Sequence, residues 1–133
     1  PDGTGDEAYL ERLRAELPDV MEAARPDLVF YLAGIDVAEG DRFGRLALTR
    51  SGIARRDRIV FEHAREASVP LTLLMSGGYA ENPAATADLH AIAHREAARI
   101  YGPGPSASET SSARRPETTR GRSDQSRRSS TSA

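Results

Sequence analysis

Cysteine is missing from the 133-residue chain, which excludes disulfides, thiolate metal sites and a thiol nucleophile without fixing a compartment. Lysine is missing as well. All 18 basic residues are arginine, a bias that we read as the nucleotide composition of the gene rather than an arginine-specific function. No apolar run approaches the ~20 residues needed to span a bilayer, and no secretory signal opens the chain. The expectation is a soluble, cytoplasmic protein with no membrane partner. The first residue is Pro1, not methionine, and the opening PDGTGD reads as a loop in mid-chain. We therefore expect a piece of a longer protein.

Composition changes sharply after Tyr101. Residues 103–133 hold no aromatic and no aliphatic side chain larger than alanine, so they cannot bury enough surface to offset their ordering entropy. A disordered Ser/Arg-rich tail is expected there. Its six arginines and three acids make it net +3, which leaves −5 on the body, residues 1–102, of a chain whose net charge is −2. An acidic body argues against a nucleic-acid-binding domain.

Within the body, Asp6 can cap a helix running to Ala24, in which Leu10, Leu13, Leu17, Val20, Met21 and Ala24 recur near the helical period. Pro18 is expected to kink or split it, and Pro26 to end it. Two short apolar runs follow, residues 28–36 (LVFYLAGID) and 71–80 (LTLLMSGGYA), each a candidate buried strand ending in glycine and then a polar side chain. Between them residues 49–67 have helical spacing. Thr49 or Ser51 can cap this helix, Ile53, Val60, Ala64 and Ala67 face a sheet, and Arg55, Arg56, Asp57, Arg58, Glu62 and Arg65 read as a solvated face. Asn82 and Pro83 open a third helix with Leu89, Ile92, Ala93, Ala97 and Ile100 on one side, ending at Gly102.

Strand, helix, strand predicts a right-handed parallel crossover, in which both strands finish on the rim where ligands of open α/β sheets bind. Asp36 and Tyr79 would share that rim. A carboxylate and a phenol in one crevice suit a metal ligand and an oxyanion donor. The loop of about a dozen residues after Asp36 lies where long loops are usually functional. Two strands apolar on both faces need covering layers and edge neighbours, so the body is expected to be the C-terminal part of a larger α/β domain.

Other polar residues carry plainer readings. Asp41 is expected to hold its loop by accepting backbone amides. His90 and His94 lie four apart on one helix face but lack the glutamate of a HExxH zinc site, so we give them a structural or surface role. His63 is expected to be partly exposed and Met75 to be strand core. Asp88-Leu89-His90 spells Asp-x-His, yet positions two apart on a helix point about 200° apart and cannot close on one ion.

The pattern G-x-D-x-x-x-G-D-x-x-G-R-L-A over residues 34–47, followed at the right interval by SGGY over 76–79, resembles the C-terminal portion of the arginase-fold histone deacetylases, most like the class IV branch and its bacterial relatives. GTGDEAYL near the start is similar to the loop and helix that precede these motifs in the family. The resemblance covers residues 1–101 and implies the C-terminal part of a parallel-sheet, three-layer α/β fold. It implies Zn2+ as cofactor and hydrolysis of an acyl-lysine peptide or acylated small amine. By motif, Asp36 matches the last of three protein zinc ligands, Tyr79 the hydroxyl that bonds the substrate carbonyl and then the oxyanion, and Phe43 a side chain on the acyl-lysine tunnel wall. Gly77 and Gly78 match the glycines before the tyrosine, which let backbone pass close to the substrate. Ser76 stands where members often have glycine, a departure shared by class IV proteins. The family's Asp-x-His ligands and His-His general base have no counterpart in this chain, so this piece alone is expected to be inactive. The alternative is a noncatalytic remnant of the fold whose basic tail binds anionic partners.

Overall fold

The alternation of helical periods and short apolar runs becomes the order α1 (Asp6–Ala24), β1 (Val29–Leu32), α2 (Arg50–Glu66), β2 (Leu71–Leu74) and α3 (Pro83–Tyr101) in a computed structural model that describes residues 1–103. The expected tail, Pro103 apart, lies outside the described residues. β1 and β2 pair in parallel, from Val29 opposite Leu71 to Leu32 opposite Leu74, with α2 as the crossover. Thr49 caps α2 by accepting the Gly52 N–H (3.0 Å), and Asn82 caps α3 by accepting the Ala85 N–H (2.9 Å) ahead of Pro83. Both caps follow the local signals.

Strand alternation decides which face is covered. Tyr31, Leu71 and Leu73 pack around buried Ala33, Phe61 and Ala93, with Ala97 and Ile100 of α3 on the same cluster. The opposite face is bare among the described residues: Phe30 and Leu32 are each 61% exposed and Leu74 is 40% exposed. Covering side chains of this size is worth ~1.5–3 kcal/mol each. Residues 1–103 therefore supply a helical layer for one face of the sheet, and the three-layer arrangement is not complete within them. A second cluster, Ala38, Leu48, Ile53 and Ile92, packs the loop after β1 onto α2 and α3.

Several expectations give way to long-range packing. α1 begins at a Gly5 cap with no side-chain bond, and the Asp6 carboxylate instead accepts the Thr49 N–H (2.8 Å) and hydroxyl (2.6 Å) at the start of α2. An acid there complements the α2 dipole, whose own first turn has none. α1 continues unbroken past Pro18, which is exposed, as is Arg14 one turn earlier. The stripe along α1 is buried only at Leu10, while Val20 and Ala24 are exposed. Met75 and Ala67 are exposed too, because each lies just past the end of its element.

Arg56 and Asp57 differ most from expectation. Both are buried, and the reason is positional: they fall between Ile53 and Val60 on the packed side of α2. Asp57 Oδ1 accepts from the Tyr31 hydroxyl (2.6 Å) and Arg56 Nε (2.8 Å), and Arg56 Nη1 donates to the Gly34 carbonyl (2.6 Å). Arg56 Nη2 lies 2.7 Å from Asp57 Oδ1 but outside hydrogen-bond geometry. Burial pushes the Tyr31 hydroxyl pKa up, so it remains a proton donor to Asp57.

Candidate active site

Pairing continues past the last strand residues: Ala33 N–H donates to Leu74 O (3.0 Å) and Ile35 N–H to Gly77 O (2.7 Å). These bonds bring the ends of both strands to one rim. The half-buried Asp36 carboxylate lies against main chain there, where a Cβ added at Gly34 would stand 2.9 Å from Oδ1 and one at Gly77 would collide with Oδ2. Glycine at 77 makes the room that Asp36 occupies. A Cβ on Gly78 would clash with Ile35 and stand 3.2 Å from His90 Nε2.

The loop from Val37 to Leu48 is ordered by its own bonds. Leu48 N–H donates to Val37 O and Glu39 N–H to Leu48 O, both at 3.0 Å, while Gly3 N–H reaches Arg45 O (2.7 Å) and Ala47 N–H reaches Thr4 O (2.9 Å). Asp41 has the amide-binding role read from the sequence. Its Oδ1 accepts from Phe43 N–H (2.9 Å) and Gly44 N–H (2.8 Å). Its Oδ2 accepts from Tyr79 N–H (2.6 Å), a partner no local signal could reveal. Burial pushes the Asp41 pKa up, but the Gly44, Phe43 and Tyr79 amides and the Arg42 charge together hold it below the usual carboxylate range.

Phe43 and Tyr79 meet edge to face, with centroids 4.9 Å apart, and remain 69% and 51% exposed. Beside them opens a cavity of about 710 Å³ lined by Arg42, Met75, Tyr79, Pro83, His90 and His94. Burial first, then the His94 and Arg56 charges, push the His90 pKa down, with Asp36 opposing. His90 is therefore a neutral imidazole near pH 7. Asp88 pairs with Arg50 (2.7 Å) and Arg95 (3.5 Å), apart from His90.

Asp36 has the oxygen-donor chemistry of a zinc ligand. Among the described residues, however, no three His, Cys, Asp or Glu side chains converge to hold a metal ion.

Residues 1–95 match the histone deacetylase domain family. The chain is 41% identical over 101 residues to an uncharacterized protein of Picosynechococcus sp., covering 76% of this chain and 34% of that relative. It is 42% identical over 82 residues to histone deacetylase 2 of Arabidopsis thaliana (62% of this chain, 21% of the relative). It is also 37% identical over 78 residues to type-1 histone deacetylase 1 of Dictyostelium discoideum, covering 59% of this chain and 15% of the relative. The chain thus spans about a third or less of the curated relatives it matches. With the family match running over most of its length, this chain belongs to the histone deacetylase family.

Proposed function

We propose that this chain forms one side of the active site of a zinc-dependent amide hydrolase that removes acyl groups from lysine side chains or related acylated amines. One observation carries the reading: the parallel register seats the Asp36 carboxylate against Gly77, two residues before Tyr79, on a single rim. Asp36 is a carboxylate ligand to zinc. The remaining ligands and the general base come from outside residues 1–133, so the chain by itself does not turn over. Zinc, when bound, supplies Lewis acidity that polarises the amide carbonyl and lowers the pKa of water. Tyr79 donates its hydroxyl proton in a hydrogen bond to the carbonyl oxygen and holds it there as negative charge develops. Phe43, edge-on to Tyr79, is the apolar wall along which the alkyl stem of lysine lies, and the Cβ-free Gly77-Gly78 backbone allows close approach to the acyl end.

The test uses the complete gene product loaded with zinc and an acyl-lysine peptide. Asp36→Ala is expected to lose bound zinc and all turnover. Tyr79→Phe is expected to keep zinc and lose about a hundred- to thousandfold in turnover, the usual cost of one oxyanion donor. Normal zinc content in the first variant, unchanged turnover in the second, or no hydrolysis by the zinc-loaded wild type overturns the reading.

A further inference from the structure

The segment from Met75 to Asn82 lies between β2 and α3 without regular structure, and Tyr79 at its centre is half exposed. Such a residue has little packing to hold it. What holds it comes from three consecutive residues of the other loop. Asp41 Oδ2 accepts the Tyr79 N–H (2.6 Å), Arg42 N–H donates to the Tyr79 carbonyl (3.3 Å), and the Phe43 ring meets the Tyr79 ring edge to face. The first of these is a charge-assisted bond, the stronger kind.

The two Asp41 oxygens divide their work. Oδ1 alone makes the local turn, accepting from Phe43 and Gly44; a neutral asparagine serves such turns as well as aspartate does. Oδ2 is occupied 38 residues away in sequence, at Tyr79. Only a side chain with two acceptor oxygens meets both demands.

We propose that Asp41 is the positioning residue for Tyr79, fixing the tyrosine main chain so that its hydroxyl meets the substrate oxygen. This rests on the reading of Tyr79 as oxyanion donor. Asp41 touches no reacting atom and acts entirely through Tyr79.

Asp41→Asn separates the two roles. Its Oδ1 can keep the turn under Phe43, while its NH2 faces the Tyr79 N–H, donor against donor. In the complete, zinc-loaded gene product this variant is expected to lower kcat by roughly ten- to a hundredfold, the scale of an ångström of misplacement, with KM and zinc content little changed. In a Tyr79→Phe background the same substitution is expected to cost nothing more, since its route to the substrate is already gone. Wild-type kcat in Asp41→Asn, or an equal fall in both backgrounds, overturns the proposal. A slow Tyr79→Phe with a normal Asp41→Asn removes this inference alone, whereas a normal Tyr79→Phe removes it together with the reading it rests on. Hydrogen exchange at the Tyr79 amide of the unsubstituted protein gives a result whether or not the variants fold. Protection is expected, and free exchange overturns the proposal.

Discussion

The two segments that follow the two strands carry comparable chemistry and are held in opposite ways. Val37 to Leu48, after β1, has main-chain bonds of its own, two buried anchors in Ala38 and Leu48, and ties to the chain start at Gly3 and Thr4. Beneath it Arg56 holds the Gly34 carbonyl from inside α2. Met75 to Asn82, after β2, borrows its order: the hydrogen bonds at Gly77 and Tyr79 lead to Ile35, at the end of the β1 run, and to Asp41 and Arg42 of the first segment. One region is a scaffold and the other leans on it. Asp36, the proposed metal ligand, sits just ahead of the braced side, while Tyr79 takes its position from that side.

The comparison breaks most completely at Arg56. Arg56→Met would leave Asp57 charged and buried without its partner, a loss expected at about 3–5 kcal/mol. Denaturation of the complete gene product measures it. Adding Asp57→Leu is expected to recover much of the loss, because a buried pair exchanged for apolar groups is often neutral; a single variant of near wild-type stability would show that the network does not brace the rim.

Asp6→Ala loosens the braced loop at its far end, removing both bonds to Thr49. About 1–2 kcal/mol of stability is expected to go, as for loss of a helix cap, with much less effect on kcat than Asp41→Asn. A kcat loss equal to that of Asp41→Asn would mean that Tyr79 feels general loosening rather than one bond.

The smallest effect is a pH dependence. The folded pKa of Asp41 lies below its ordinary value of 3.8, so the tie contributes fully above that value and is lost as pH falls through the folded pKa. Protection of the Phe43, Gly44 and Tyr79 amides is expected to fall together in that acidic range. Separate losses would uncouple the two segments.

Much of this was legible in the sequence, for physical reasons. Period and punctuation are local, so the three helices, the parallel strand pair and the cap at Asn82 could be read directly, with Thr49 one of two candidates for the other cap. That the ends of both strands, and with them Asp36 and Tyr79, reach one rim followed from topology. Asp6 was misassigned because a cap signal names a helix start but not which helix, and its partner Thr49 lies 43 residues away. Arg56 and Asp57 read as solvated because charge outweighed position, although their spacing from Ile53 and Val60 put them on the packed side. Half of the Asp41 role was visible as a turn; the half that reaches Tyr79 exists only once the strands have paired.

The most direct measurement is anomalous diffraction at the zinc edge from crystals of the complete gene product. A single strong peak is expected about 2.0–2.2 Å from an Asp36 carboxylate oxygen, on the rim that Tyr79 shares. A peak bound elsewhere, with Asp36 free of it, would contradict the zinc-ligand role.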